Sequence, residues 1–242
     1  MRILVISDIH ANLTALEAVL AAAGEVQAVW CLGDLVGYGP DPDACVERIR
    51  ALPDLTCLLG NHDAAVADLL ETSSFNPEAR MSLEWTREQL LPANLEYLKN
   101  LPEKLVAEQV TLAHGSPRNP VVEYLLDTYL ATINFSYFET PHCFVGHTHL
   151  PVQFYLPNGS GYAELSIPKA GRPLEIENRS ILNPGSVGQP RDRDPRAAYA
   201  IFESGTATWL LERAAYDIPA VQDKMNRLGL PERHSQRLAL GW

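Results

Sequence analysis

Apolar and polar positions alternate along this chain in a recurring unit: a short run rich in Ile, Leu and Val, then a small cluster of polar residues. The runs read R-I-L-V-I, A-V-W-C-L, L-T-C-L-L, V-T-L-A and C-F-V. β-branched and apolar runs of this length predict buried strands. The first spans Arg2 to about Ser7, the second Ala28 to Leu32 and the third Leu55–Leu59. Between them the period changes. Leu13, Leu16, Val19 and Leu20 recur at helical spacing, Thr14–Glu17 fits a capping box, and Gly24 ends the segment. A second helix is expected with Asp41 as N-cap and Pro42 at its first position. The order β-α-β-α-β predicts parallel strands with right-handed crossovers.

From residue 64 to about 100 strand signals give way to helical ones, which predicts a helical excursion packed in the ordinary way, with a small cap over the site as the alternative. Beyond it, V-Q-F-Y-L, Y-A-E-L-S-I, A-Y-A-I-F and T-A-T-W-L-L-E are short strands with Asn-Gly and Ser-Gly between them. Such turns favour hairpins and suggest a second, mixed or antiparallel sheet facing the first. The tail from about residue 218 is helical, with Gly229 as a stop. The expected fold class is therefore α/β, two facing mixed β-sheets flanked by helices, in one domain spanning residues 1–242.

Composition narrows the functions open to such a fold. The net charge of -11 argues against stable nucleic-acid binding and against an anionic membrane surface. No apolar run is long enough to span a bilayer, and the start shows no signal-peptide pattern, so a cytoplasmic location is expected. The four cysteines lie scattered without a C-x-x-C pair, which predicts buried free thiols and no thiolate zinc site.

The chemistry sits in the polar clusters that close the runs. They read S-D-I-H (Ser7–His10), G-D (Gly33–Asp34), G-N-H-D (Gly60–Asp63), H-G (His114–Gly115) and G-H-T-H (Gly146–His149), and hold five of the seven histidines. Ligands gather at the carboxyl ends of strands in open α/β sheets. Five such ends at one sheet edge would make a metal site. Asp8 with His10, and His147 with His149, stand two apart, and in extended backbone such pairs point to one side. The inventory Asp8, His10, Asp34, Asn61, His62, Asp63, His114, His147 and His149 exceeds the needs of one ion and suits two. Imidazole, carboxylate and carboxamide without thiolate favour manganese, iron, cobalt, nickel or zinc over copper(I) or an iron–sulfur centre without selecting among them, and manganese is the ion expected. The remaining histidines, His142 and His234, read as ordinary packed or surface side chains.

Taken in order, these clusters resemble the calcineurin-like metallophosphoesterase superfamily. With H-G-S-P-R-N-P at His114–Pro120 and N-P-G-S-V-G-Q-P-R at Asn183–Arg191, they are similar to its small bacterial YfcE-like phosphodiesterases. The resemblance implies one metal on Asp8, His10 and His149, a second on Asn61, His114 and His147, and Asp34 bridging both. It implies that His62 acts near the substrate as a catalytic group and that Asp63 orients it. Two divalent ions about 3.5–4 Å apart make hydroxide available near neutral pH for in-line attack on phosphorus. A small phosphate ester, for example a nucleotide, is the expected substrate. A phosphodiesterase is the leading expectation, ahead of a phosphomonoesterase, a nucleotide pyrophosphohydrolase or a non-catalytic scaffold. A Rossmann nucleotide binder is disfavoured, because S-D-I-H-A-N and not G-x-G-x-x-G follows the first strand.

Further substrate contacts are expected from Asn12, Arg118, Gly185, Ser186 and Arg191. Each has a plainer alternative. Asn12 suits a helix cap, the N-P-G-S-V-G loop suits a turn beneath the metals, and the two arginines suit solvent. Tyr38, between two glycines, reads as a packed loop aromatic, with a place lining the cleft as the alternative.

Overall fold

Strand β1 (Arg2–Ile6) shows why two layers of sheet form. Successive side chains in a strand point to opposite faces. Leu4 and Ile6 join a buried cluster with Leu16, Val19, Val46 and Ile49 of the first two helices. Ile3 and Val5 join another, with Trp30, Val110, Leu112, Phe144, Leu182, Phe202 and Trp209, drawn from strands of both sheets. Every residue of β1 after Arg2 is thus buried, on one face by helices and on the other by a second sheet.

The computed structural model describes residues 1–242. After β1 come β2 (Ala28–Cys31), β3 (Leu55–Cys57), β4 (Lys104–Ala107), β5 (Val110–Ala113), β6 (His142–Phe144) and β7 (Val152–Leu156). Then follow β8 (Glu164–Ser166), β9 (Pro173–Glu175), β10 (Arg179–Asn183), β11 (Ala197–Glu203) and β12 (Thr208–Ala214). The helices are α1 (Leu13–Ala23), α2 (Pro42–Arg50), α3 (Asn61–Val66), α4 (Pro77–Gln89), α5 (Pro92–Lys99), α6 (Thr128–Asn134), α7 (Ile218–Arg227) and α8 (Glu232–Leu240). One six-stranded sheet has the order β3-β2-β1-β11-β12-β9, the other β4-β5-β6-β10-β7-β8. Both are mixed: β1, β2 and β3 run parallel, as do β5, β6 and β10, and the hairpin strands pair antiparallel.

Two expectations need correction here. The hairpin β11–β12 does not belong to the second sheet; β11 pairs antiparallel with β1, Leu4 opposite Ile201. The free edge of β1 supplies a partner that no local turn signal reveals. Helix α1 is capped by Asn12, whose side chain accepts from the Ala15 amide at 3.1 Å, and not by Thr14. Helix α2 starts as expected with Asp41 and Pro42, although the Asp41 carboxylate pairs with Lys224 of α7 and caps nothing.

Phe144 is the centre of the inter-sheet layer, with ring contacts of 4.7 Å to Trp209 and 4.9 Å to Phe202. A third apolar layer, with Phe135, Phe138, Phe154 and Ile181, covers the outer face of the second sheet. The region 61–99 forms α3, α4 and α5; Leu83 of α4, Leu90 just after it and Leu98 of α5 extend the core beside β3. All four cysteines are buried and free. No helix is long and apolar enough to cross a membrane.

Candidate metal centre

The five clusters follow β1, β2, β3, β5 and β6, and the sandwich brings these strand ends to one edge. They come from two facing sheets, three from one and two from the other, and not from one sheet as expected. Asp8, His10 and His149 form one group of close donor atoms, and Asp34, His114 and His147 form another. Asn61 joins the second, its Oδ1 3.1 Å from His114 Nε2. All of these residues are buried.

Asp34 lies between the groups and divides its oxygens. Oδ1 accepts the His62 backbone N–H at 2.8 Å. Oδ2 lies 3.6 Å from His10 Nε2 and 3.4 Å from His114 Nε2, so a single oxygen faces both groups. A side chain at Gly60 would run into the Asp34 carboxylate, which explains glycine there.

Backbone carbonyls set the histidine tautomers. Nδ1 of His10, His114 and His149 sits 3.1, 2.9 and 2.6 Å from the carbonyls of Val36, Leu32 and Gln189. A carbonyl only accepts, so Nδ1 holds a proton, and in each ring that is neutral Nε2 turns its lone pair inward. Nε2 of His10 and of His149 then face each other at 3.1 Å, lone pair to lone pair. Asp8 Oδ1 lies 3.3 Å from one of them and 3.9 Å from the other. Nε2 of His147 is buried with no hydrogen-bond partner. Facing acceptors repel unless a cation lies between them. Donors around an ion at about 2.0–2.2 Å stand about 3.0–3.4 Å apart, close to the separations found, so these residues fit a divalent metal.

The electrostatics agree. Burial pushes the Asp8 carboxyl up to about 7. Burial also pushes His62 down to about 4 and His147 down to about 3, and holds His10 and His149 well below the usual imidazole range. His114 is the exception: burial works against its charge, but the Asp34 carboxylate outweighs burial and raises it to about 9. Four of the five imidazoles are thus neutral near pH 7, and the one cationic ring, His114, faces the Asp34 carboxylate.

The backbone differs from expectation. Asp8, His10, Asp34, His147 and His149 have φ of 54, 48, 55, 65 and 60°, in the left-handed region. The ligand pairs therefore converge through left-handed loop residues and not through extended backbone. Non-glycine residues there carry strain of about 1–3 kcal/mol each, tolerated best by Asp, Asn and His. Asp63 also differs. Its carboxylate accepts from the amides of Leu35, Val36 and Gly60 and makes no hydrogen bond to the His62 ring. It ties the Asp34 loop to the start of α3 and positions His62 only through the backbone.

Four expected substrate contacts lie elsewhere. Asn12 caps α1 and donates Nδ2 to the Gly188 carbonyl. The Gly185 amide donates to Asn183 Oδ1, and Ser186 Oγ donates to the Asp8 carbonyl, so this loop buttresses β1 from beneath with its polar groups already committed. Arg118 pairs with Glu123 outside the site. Arg191 alone of this set reaches the site, with its guanidinium carbon 5.9 Å from the Tyr38 ring centre.

A cavity of about 440 Å³ opens beside Asn61, His62 and His147, walled by Tyr38, Leu70, Phe75, Asn76, Val122 and Tyr124, among others. Phe75 meets the His62 ring edge-on at 5.3 Å, and Tyr124 stacks on His147 at 3.7 Å. The excursion after α3 therefore does more than pack: its Leu70, Phe75 and Asn76 wall the site. Tyr38, read above as a packed loop aromatic, lies 4.5 Å from His10 and 4.4 Å from His62. Phe75 and Tyr124 carry no local signal, since neither stands at a strand end beside a ligand.

Residues 1–207 match the model of the calcineurin-like phosphoesterase superfamily domain. A metallophosphoesterase from Sphaerobacter thermophilus superposes with a TM-score of 0.92 at 47% identity, over 100% of this chain and 99% of that one. A hypothetical protein of Pyrococcus horikoshii has a TM-score of 0.81 at 22% identity, over 100% and 98%, and shares the fold. An uncharacterized protein of Methanocaldococcus jannaschii is 37% identical over 248 residues, covering 99% of this chain and 98% of its own length. With its two facing sheets and its convergent ligand clusters, the chain belongs to the calcineurin-like phosphoesterase superfamily.

Proposed function

We propose that this protein is a phosphodiesterase that works with two divalent transition-metal ions, manganese first among them. The observation that carries this reading is the single Asp34 oxygen facing two donor groups, with the His62 ring beside it. Asp8, His10 and His149 would hold one ion, Asn61, His114 and His147 the other, and Asp34 both. When bound, such a pair supplies Lewis acidity to the phosphoryl oxygens and an activated water.

The chain's own groups do the rest. Asp34 Oδ1 holds the His62 backbone and so fixes the ring relative to the metal ligands. A side chain at Gly37 (φ 88°) would strike that ring, so glycine keeps the space open. His62, neutral near pH 7, donates a hydrogen bond to the leaving oxygen as charge builds there. The cavity beside it has room for one ester arm of the substrate.

The test is a hydrolysis panel on metal-stripped protein reloaded with Mn, Co, Ni or Zn. Turnover of bis-aryl phosphate with little on mono-aryl phosphate is expected. Preference for the monoester would make the protein a phosphomonoesterase, and inactivity with every ion would favour a non-catalytic scaffold.

A further inference from the structure

Helices α7 and α8 lie beyond the matched residues 1–207 and pack on one half of the metal centre. Helix α8 ends at Gly241, whose φ of 63° is left-handed. A side chain there would strike the backbone of Arg193 and Asp194. The Gly241 carbonyl accepts the Arg193 N–H at 2.8 Å, so the helix end is fastened to the loop that follows β10. Val221 and Met225 of α7 and Leu238 of α8 face His10, Tyr38 and Gln189 across a space of about 10 Å³, the lower limit for one water. His234 of α8 lies 4.5 Å from the Tyr38 ring. Gln222 Nε2 donates to the Ser235 carbonyl at 2.8 Å and joins the two helices, and Lys224 of α7 pairs with Asp41. The hairpin thus covers two loops, residues 188–193 and 38–41.

Those two loops support all three ligands of one donor group. The Gly188 N–H donates to the Asp8 carbonyl at 2.9 Å, and the Gly39 N–H to the His10 carbonyl at 3.1 Å. The Gln189 carbonyl accepts from His149 Nδ1 at 2.6 Å. The other group is supported differently. His114 rests on the Leu32 carbonyl, Asn61 lies against His114, and Tyr124 stacks on His147. No residue of α7 or α8 walls the cavity on that side. A carbonyl that receives the Nδ1 proton fixes the orientation of the imidazole and the basicity of its far nitrogen. Moving the 188–193 loop therefore moves Nε2 of His149 relative to Asp8 and His10, while Asn61 and His114 keep their own supports.

We infer that α7 and α8 position one metal ion and not the other: they hold the Asp8–His10–His149 ligand set in place through the loops beneath it, with Leu238 and Gly241 as the positioning residues. This rests on the two-ion reading above and deepens it.

The test is a calorimetric titration of metal-stripped protein with manganese(II). Wild type should take up two ions. Leu238→Ala should weaken one of them by about 10-fold, the low end for loss of a group that supports a ligand, and leave the other unchanged. A chain ending at Leu240 lacks the Gly241 carbonyl but no large buried side chain, and should show the same selective loss; it decides the matter if Leu238→Ala does not fold. Leu238→Met, which conserves volume, should bind as wild type does. Two backgrounds locate the affected ion. Asn61→Ala retains the Asp8–His10–His149 ion, and there Leu238→Ala should again cost about 10-fold. His149→Ala retains the other ion, and there Leu238→Ala should cost nothing measurable. Equal weakening in both backgrounds, as a general loss of packing would give, would overturn the assignment. So would unchanged affinity in both Leu238→Ala and the shortened chain. A wild type that takes up fewer than two ions would instead remove the two-ion reading, and the positioning role with it.

Discussion

The ligand cradle and the rim around Tyr38 lie within a ring's width of each other and follow opposite rules. In the cradle, three of the imidazoles are locked to a backbone carbonyl and each carboxylate accepts a backbone N–H, through His147 for Asp8 and His62 for Asp34. On the rim, Phe75, Tyr124 and Arg191 come from loops, and the Arg191 side chain donates to a neutral amide and lies over Tyr38. The cradle is preorganised before anything binds. Groups held that way lose little on binding and act strongly on charge that develops between them. The rim is completed by what binds to it, so it sets which substrate is chosen and not which bond is broken.

Removing the group that joins the two donor sets should break the cradle most severely. Asp34→Ala is expected to lower metal content at both positions and reduce kcat by more than about 10⁴-fold, since bridging and orientation fail together. Metal analysis by plasma mass spectrometry, alongside hydrolysis, checks this; loss of one ion with the other fully retained would end the bridging role. His62→Ala is expected to keep both ions and lose about 10²–10⁴-fold in kcat. A metal-free His62→Ala protein would move this histidine from the substrate side to the ligand set, an arrangement its nearness to His10 and Asp34 also permits geometrically.

That contrast also explains what could be read from the chain alone. The cradle was legible because its ligands follow apolar strands within one or two residues, and strand order carries them to one edge. The left-handed φ of Asp8, His10, Asp34, His147 and His149 was not, because those loops are bent by contacts from distant segments, such as Gly188 N–H to the Asp8 carbonyl at 2.9 Å. The start of α1 was misplaced by two residues, since both Asn12 and Thr14 have caps of the right chemistry and packing against Gly188 selects Asn12. The packing of His234 against Tyr38 had no local signal: it exists only because α8 folds back across the 195 positions between the two residues.

A smaller effect sharpens the distinction through protons. Metal-free His114, raised to about 9 by Asp34 against the opposing effect of burial, is protonated at pH 7.5. A metal ligand must give up that proton, and Asp8, near 7, gives up part of another. Metal binding at pH 7.5 should therefore release about one proton or slightly more per chain, measured by calorimetry in buffers of different ionisation enthalpy. Release should fall to about half a proton at pH 9, where His114 is half neutral, and toward about a tenth at pH 10. Uptake of protons, or release independent of pH, would contradict the tautomers deduced for the cradle.

The smallest expected effect lies on the rim, where Glu123 holds the loop that carries Tyr124. Its carboxylate accepts from Ser116, Asn134 and Arg118. Burial alone would raise its pKa, but the hydrogen bonds, Arg118 first, hold it down at about 2, below its ordinary 4.5. A carboxyl depressed in the folded state adds stability above its unfolded pKa and loses it as the pH falls toward the folded one. The contribution should thus be complete above about pH 5 and fade between about pH 4.5 and 2. Because the Arg118 partner is exposed, the pair is worth little, and Glu123→Gln should lower Tm by only about 2–4 °C at pH 7. At pH 2 the variant and the wild type should melt together. A gap in Tm that persists at pH 2 would mean that Glu123 acts through packing and not through its charge, and the loop under Tyr124 would then be held much as the cradle is.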